Sequence, residues 1–135
     1  MKIQYVRQKH RSGCAIACIA MVTGMPYEAV ARHFQTNFER EGLKPEVTRM
    51  FVCDHGFSTI EAIAHGITIQ ADSNKRMARP FADVHIVSVQ PFADSEINHA
   101  VVMDRRGRVY DPDRPDIKSL SAYYYIVRVQ GFWRD

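Results

Sequence analysis

The sequence has no apolar run that approaches a membrane span and only three cysteines among its 135 residues. A transmembrane helix needs about 20 consecutive apolar residues, so we expect no membrane partner. An odd number of cysteines cannot form a fully paired disulfide framework. The start of the chain also lacks the apolar core and cleavage site of a secretion signal. These absences predict free thiols and a cytoplasmic location, in a bacterial cell or a phage within it.

The chain also lacks a large excess of charge of one sign, since the formal net charge is only +3. Arg105, Arg106 and Arg108 are clustered around Gly107, which is typical of a solvated hairpin tip rather than a nucleic-acid surface. Apolar residues make up 46% of the chain and charged residues 24%, as in soluble globular proteins. We therefore expect a single domain over residues 1–135 with no nucleic-acid partner, and composition leaves the oligomeric state open.

The cysteines could instead be metal ligands. Cys14 and Cys18 are separated by three residues, and Cys53 and His55 by one. Neither interval matches the usual paired spacings of a structural zinc site. The sequence therefore favours no metal, and it implies no other cofactor.

The first half of the chain predicts helices. Residues 12–23 are apolar on every side, as in a buried helix, with Ser12 as the expected N-cap and Gly24 as the stop. Two more helices are predicted to begin at prolines, over 26–34 and 45–55. The apolar positions expected in the last of these are Val47, Met50 and Phe51.

The second half predicts strands. Four segments are rich in β-branched and aromatic residues, at 84–90, 98–104, 108–111 and 123–129. The stretch from 57 to 79 mixes helical and strand spacing, so its structure is left open. Helices followed by an antiparallel sheet indicate an α+β fold.

A candidate nucleophile stands near the start of the buried helix. Cys14 falls at about its second residue, where free N–H groups and the positive end of the helix dipole favour thiolate over thiol. Cys18, one turn further along, has the character of a small core residue. Gln8 lies six residues before Cys14 on a polar loop and could donate its amide to an oxyanion. Gln4 is the competing donor, at a greater distance along the chain.

A base and an orienting carboxylate are expected from the sheet. His99 and His85 each open a strand, so either imidazole is a candidate base. A three-residue turn with Gly107 in the left-handed conformation closes a hairpin in which Asp104 faces Arg108. His99 and Asp111 then become diagonal neighbours on one face, about 7–8 Å apart at Cα. Asp111 therefore favours His99 over His85 as the base.

In chain order, Gln8, Cys14, His99 and Asp111 resemble the catalytic set of the papain-like cysteine peptidases. The sequence is most similar to the branch that cleaves double-glycine leaders from bacteriocin precursors, and to its stand-alone relatives. In that branch a Gln lies about six residues before the Cys, and the Cys helix ends in an Ala-Met-Val-like stretch, here at 20–22. A strand of His followed by apolar residues comes later, and then an Asp-Pro.

The resemblance implies a papain-like fold, in which a nucleophile helix packs on an antiparallel sheet that carries the His and the Asp. It also implies a thiol hydrolase that cleaves a protein or peptide substrate through an acyl-enzyme. Cys14 would be the nucleophile, His99 the general base and then acid, Asp111 the orienting group, and Gln8 the oxyanion donor. The sequence departs from the branch at Ala15, where Gly is usual. Residues 57–80 also match the branch poorly, so the resemblance leaves the substrate specificity open.

Two other classes of function stay open. A glutamine deamidase, transglutaminase or acyltransferase could use the same residues, because fold and triad do not fix the acyl acceptor. Release of ammonia without backbone cleavage would distinguish a deamidase or transglutaminase. A non-catalytic binding domain could also keep the fold. Such a domain would not need the four residues, so the presence of all four argues against it.

Overall fold

The computed structural model describes residues 2–34, 42–63, 79–93, 95 and 98–135. Within these residues three α-helices lie on one side of a five-stranded sheet, and no helix is both long and apolar enough to cross a membrane. The helices are α1 (Cys14–Thr23), α2 (Tyr27–Phe34) and α3 (Pro45–Asp54). The strands are β1 (Phe57–Ile63), β2 (Val84–Gln90), β3 (His99–Asp104), β4 (Val109–Tyr110) and β5 (Tyr125–Arg134), and Leu120–Ala122 forms a 3₁₀ turn.

The sheet has the strand order β1-β5-β2-β3-β4 and is antiparallel at every pairing. One face packs against α1 and its neighbours through side chains such as Ile86, Val102 and Phe132. The opposite face carries Val87 and Val101 and is covered by the segment that includes the 3₁₀ turn. Helices on one side of an antiparallel sheet confirm the predicted α+β class.

Helix α1 is buried along almost its whole length, as its uniformly apolar sequence predicts. Every residue from 15 to 22 is buried. The prediction that Ser12 caps this helix is wrong, because the N-cap is Gly13 and no side chain caps the first turn. A Cβ on residue 13 would collide with the hydroxyl of Tyr27, so this position requires glycine. Gly24 ends the helix in the left-handed conformation, as predicted.

The hairpin between β3 and β4 has the predicted register. Met103 pairs with Val109, and the Asp104 N–H donates to the Arg108 carbonyl at 2.9 Å. Gly107 has a φ of 89°, which an L side chain rarely adopts. Asp104 fixes the turn further, because its Oδ1 accepts the N–H groups of Arg106 and Arg108.

Two other predictions need correction. In α3 the side chains of Val47 and Met50 are 38% and 60% exposed. Of the three apolar positions expected in this helix, Phe51 is the one that is buried, and it shares its helix face with Thr48, a polar residue three positions earlier. The last strand begins at Tyr125 and continues to Arg134, so its predicted span was two residues early and too short. Part of the stretch left open forms β1, and residues 64–78 lie outside the described part of the chain.

Candidate active site

The loop before α1 places Cys14 at the first position of the helix. The Gly13 N–H donates to the His10 carbonyl at 3.0 Å. The His10 ring is hydrogen-bonded to the Tyr27 hydroxyl at 2.8 Å and stacks on the Tyr27 ring. Tyr27 begins α2, so the second helix holds the loop that leads into the first. The Cys14 side chain thereby lies at the N-terminus of α1, partly exposed.

Three of the predicted site residues form one hydrogen-bonded series. The Cys14 thiol hydrogen-bonds to the His99 side chain. His99 Nε2 lies 2.7 Å from Oδ1 of Asp111. Because Nε2 is taken by the carboxylate, Nδ1 is the nitrogen left to exchange a proton with the thiol. The His99 side chain is 17% exposed and that of Asp111 only 1%, so water reaches the imidazole but not its carboxylate partner.

The Asp111 carboxylate is held by four donors. Its Oδ1 accepts the backbone N–H groups of Asp113 at 2.8 Å and Arg114 at 3.0 Å, in addition to His99. Its Oδ2 accepts the hydroxyl of Tyr123 at 2.7 Å. Donors on both oxygens fix the plane of the carboxylate and favour its charged form. The Asp-Pro segment therefore forms the turn that its sequence indicates, and Asp111 also makes the predicted contact with His99.

The turn that carries Asp111 is attached to the segment that precedes α1. The Tyr5 hydroxyl donates to the Asp111 carbonyl at 2.6 Å. The Gln8 N–H donates to the Pro112 carbonyl at 3.0 Å. These two bonds connect residues more than 100 positions apart in sequence. They hold the nucleophile loop and the carboxylate turn as one unit.

The site is built to hold the thiol as a thiolate. Burial by itself raises the pKa of Cys14, but the hydrogen bond and charge of His99 and the N–H groups of Ala100 and Ala15 outweigh it and lower that pKa. Burial also lowers the pKa of His99, but its bonds to Asp111 and Cys14 raise the value to about 10. Between these two pKa values the pair is thiolate and imidazolium, which is the reactive form of a thiol nucleophile.

Gln8 reaches this loop but not the cleft. Its Nε2 donates to the carbonyls of His10 and Arg11, both at 3.1 Å. Its Oε1 is buried and has no hydrogen-bond partner in the described part of the chain, and Gln8 is not among the described residues that line the cleft. Gln4 is exposed. The structure thus brings three of the four predicted residues together and holds the amide of the fourth against its own loop.

The alternative base His85 and the second cysteine Cys18 take no part in this site. His85 is fully buried, and its Nε2 accepts the N–H groups of Phe81 and Ala82 while Nδ1 faces the Met103 carbonyl. Both nitrogens are therefore occupied by backbone groups, which excludes His85 as the base. Cys18 is fully buried, and burial raises its pKa well above the ordinary value. In the described residues no three His, Cys, Asp or Glu side chains are placed to hold a metal ion.

A cleft of about 690 Å³ opens beside the thiol. Ala15 and Ala100 line it next to Cys14, and Ser88 lines it one strand further into the sheet. Leu43 and Pro45, the first residue of α3, contribute from the helical side. Small side chains on both sides of the sulfur leave room for an extended chain to approach it. The cleft therefore leaves space for a ligand beside the Cys14 sulfur.

Sequence reasoning missed Tyr123 and Tyr5. Tyr123 begins a run of three tyrosines at the start of a predicted strand. The alternation of side chains along a strand does not indicate that one of them will hydrogen-bond to Asp111. Tyr5 lies in an extended segment outside any predicted element. Both contacts join distant parts of the chain, so no local pattern could have revealed them.

Comparisons with known proteins support the fold assignment. No family model and no curated protein matches the sequence. Among solved structures, the chain is similar to the crystal structure of a double glycine motif protease from an AMS/PCAT transporter in complex with the leader peptide. The TM-score is 0.72 over 99% of this chain and 93% of that one, at 16% sequence identity. The fold is papain-like. The fold that the sequence resemblance implied is therefore confirmed.

Proposed function

We propose that the protein is a papain-like cysteine peptidase that cleaves a peptide or amide bond in a protein or peptide substrate. The observation that carries this proposal is the hydrogen-bonded series from the Cys14 thiol through His99 to the buried Asp111 carboxylate. Its position at the edge of a cleft, on the fold of a known peptidase, supports a catalytic role. In this proposal residues 1–135 act as one peptidase domain and need no metal.

The reaction would proceed in two steps. The Cys14 thiolate attacks the scissile carbonyl carbon, and the His99 imidazolium gives its proton to the leaving amine as the C–N bond breaks. This leaves a thioester and a neutral imidazole. His99 then takes a proton from water, the resulting hydroxide attacks the thioester, and the sulfur leaves as thiolate while His99 is again protonated. Asp111 orients the ring in both steps and stabilises its positive charge.

The oxyanion formed in each step needs hydrogen-bond donors. The backbone N–H of Cys14 lies at the helix N-terminus and is one candidate. The second is the Gln8 amide, which would have to release one N–H from the His10 or Arg11 carbonyl. Among the described residues the buried Oε1 of Gln8 has no hydrogen-bond partner, so its present arrangement already includes an unsatisfied acceptor. This lowers the cost of turning the amide toward the substrate.

A peptide is the substrate class that this site favours. The cleft can hold an extended chain, and the neighbouring structure was crystallised with a leader peptide. Nothing in the described residues favours an amine or another acyl acceptor over water, so we propose hydrolysis rather than acyl transfer. Deamidation also delivers the acyl group to water but expels ammonia from a glutamine side chain, and a cleft that can hold an extended chain favours the backbone amide instead.

Site-specific labelling tests the proposal. At pH 6 the protein is treated with iodoacetamide or with E-64, an epoxide that inactivates thiol peptidases, and labelled peptides are identified by mass spectrometry. We expect both reagents to modify Cys14 and to leave Cys18 and Cys53 unmodified, because the pKa of each of these two is raised by burial. Peptide cleavage is then measured on a mixed-sequence library. Equal labelling of Cys14 and Cys18, or release of ammonia without cleavage, would refute the peptidase assignment.

A further inference from the structure

Three arginine residues line the cleft. They are Arg11, Arg114 and Arg128, while the acidic residues of the lining are Asp113 and Asp111. The Asp111 carboxylate is buried and already accepts four hydrogen bonds. The part of the cleft open to a ligand is therefore lined by more positive than negative side chains.

Arg128 differs from the other two arginines because its orientation is fixed. Its side chain is only 20% exposed, and its Nη1 donates to Glu61 at 3.1 Å and Glu46 at 3.3 Å. Gln130 braces Glu61 with a 2.9 Å hydrogen bond and also donates to the Pro45 carbonyl. The guanidinium is thus held through one nitrogen, between β1 and the start of α3.

The remaining donors of Arg128 are free to bind a ligand. In the described part of the chain its Nε–H and the two N–H groups of Nη2 have no hydrogen-bond partner. The Nε–H and one N–H of Nη2 form a free edge, which suits bidentate recognition of a planar carboxylate. Glu46 is 55% exposed, so water screens its charge, while the directed N–H groups remain available to the cleft.

The sheet register gives the distance from Arg128 to Ala100, which lies beside Cys14. Ala100, whose N–H hydrogen-bonds to the Cys14 sulfur, pairs with Ser88, and Ser88 pairs with Arg128. Side chains directly opposite on adjacent strands share a face, and each strand adds about 5 Å. The Arg128 Cα is therefore about 10 Å across the sheet from that of Ala100. An extended peptide covers this distance in about three residues.

We propose that Arg128 is a specificity-determining residue that binds a substrate carboxylate about three residues from the scissile bond. The inference rests on the peptidase function proposed above. The carboxylate can belong to a Glu or Asp side chain or to the C-terminus of the substrate. Both sources present the same planar anion, so experiments must distinguish them.

Epoxysuccinyl peptides of the E-64 type provide the test, because they report on binding beside Cys14 without a known substrate. Matched pairs carry Glu or Gln at each position two to four residues from the epoxide, and a second set ends in a free acid or an amide. The rate constant of inactivation is measured for the wild-type protein at low and high salt. We expect a preference for one carboxylate of about tenfold or more, and a smaller preference at high salt.

Variants separate a binding role from a structural one. Arg128→Gln should lose the preference for the carboxylate probe while its rate with the neutral probe stays within about threefold. Arg128→Lys, which keeps the charge but not the planar fork, should retain a reduced preference. Arg32→Gln, on the exposed side of α2, is the matched control and should behave as wild type. Circular dichroism and thermal melting identify any variant that fails to fold, and the wild-type comparison needs no variant.

The outcomes distinguish the two proposals. Equal rates with acidic and neutral probes, while Cys14 is still labelled, would overturn the role of Arg128 and leave the peptidase proposal intact. A carboxylate preference that persists in folded Arg128→Gln would also overturn it. Failure of every epoxide to label Cys14 would overturn both. A preference confined to the free-acid probes would support Arg128 and identify the substrate C-terminus as the carboxylate.

Discussion

The Tyr123 hydroxyl donates a 2.7 Å hydrogen bond to Oδ2 of Asp111, on the side of the carboxylate opposite His99. Both side chains are almost completely buried, at 3% and 1% exposure. Burial alone would raise the pKa of Asp111, but the bonds to His99 and Tyr123 hold it below its ordinary value. Tyr123 therefore helps to keep Asp111 charged and in the plane of the imidazole.

Tyr123→Phe should weaken the site without removing any member of the triad. The buried Oδ2 loses its donor, which should lower the free energy of unfolding by about 1–3 kcal/mol. The pKa of Asp111 should rise, so the acid limb of the pH profile for Cys14 alkylation should move to higher pH. Thermal melting and the rate of iodoacetamide labelling from pH 3 to 8 measure the two effects.

Tyr124→Phe is the control for this change. Tyr124 is the next residue, and the described structure gives its hydroxyl no hydrogen-bond partner. Its removal should change stability by less than about 0.5 kcal/mol and leave the pH profile unchanged. If both variants shift the acid limb equally, the effect comes from general packing and not from the bond to Asp111.

Cys14 should remain reactive well below the pH at which an ordinary thiol loses its reactivity. The pKa of Cys14 is lowered and that of His99 is raised to about 10, so Cys14 keeps a larger thiolate fraction than an ordinary thiol at the same pH and loses it as the pH falls through the lowered thiol pKa. His99→Ala removes the imidazolium and should move the alkylation profile to higher pH. An unchanged profile in this variant would show that His99 does not stabilise the thiolate.

The hairpin contact could be predicted because each of its causes is local. Gly107 fixes the turn, alternation fixes which side chains share a face, and together they place His99 beside Asp111. Strand β1 could not be predicted in the same way. In the described part of the chain it pairs with β5 alone and leaves Ile60 60% exposed, so its sequence lacks the pattern of a strand buried on one face. Its position depends on a partner strand about 70 residues later.

The start of α1 shows a second limit of prediction from sequence. Ser12 has a side chain suited to capping, but the Tyr27 hydroxyl occupies the space beside residue 13 and selects glycine as the N-cap. Propensity favours Ser at a cap, whereas contact with another helix decides the outcome. The prediction for Gln8 is limited in the same way. Its spacing from Cys14 can be read from the sequence, but the carbonyls that its amide contacts cannot.

Asp111→Asn should leave the protein folded and Cys14 in place while turnover falls by about 100-fold or more. The amide can still accept the N–H groups of Asp113 and Arg114, but it cannot stabilise the charged ring of His99. The loss should be smaller than for Cys14→Ala or His99→Ala, because an orienting group is usually the least costly member of a catalytic unit to lose. Turnover of a peptide identified from the library is the measurement.

Asp104→Asn tests whether that loss is specific. Asp104 lies on the same hairpin, but its Oδ1 binds the N–H groups of the turn rather than the imidazole. Its replacement should lower thermal stability slightly and leave turnover within about threefold at a temperature where the variant is folded. A larger loss of turnover from Asp104→Asn than from Asp111→Asn would contradict the assignment of the orienting carboxylate.

Gln8→Ala separates an oxyanion donor from a loop brace. If the Gln8 amide turns to the substrate oxygen, its loss should lower kcat by about 100-fold or more and leave KM nearly unchanged, because the oxyanion exists only in the reaction. Alkylation of Cys14 by iodoacetamide forms no oxyanion and should proceed almost normally. Steady-state kinetics and labelling rates on the same preparation measure both.

The opposite pattern would assign Gln8 to the loop. Its Nε2 bonds to the His10 and Arg11 carbonyls brace the chain that leads into α1, so a purely structural role predicts a lower melting temperature and slower alkylation. Gln4→Ala is the matched control. Because Gln4 is exposed, this variant should change neither the melting temperature nor the alkylation rate. A fall in kcat from Gln4→Ala but not from Gln8→Ala would move the oxyanion donor to Gln4. Loss of kcat with normal alkylation is the one result that supports the transition-state role of Gln8.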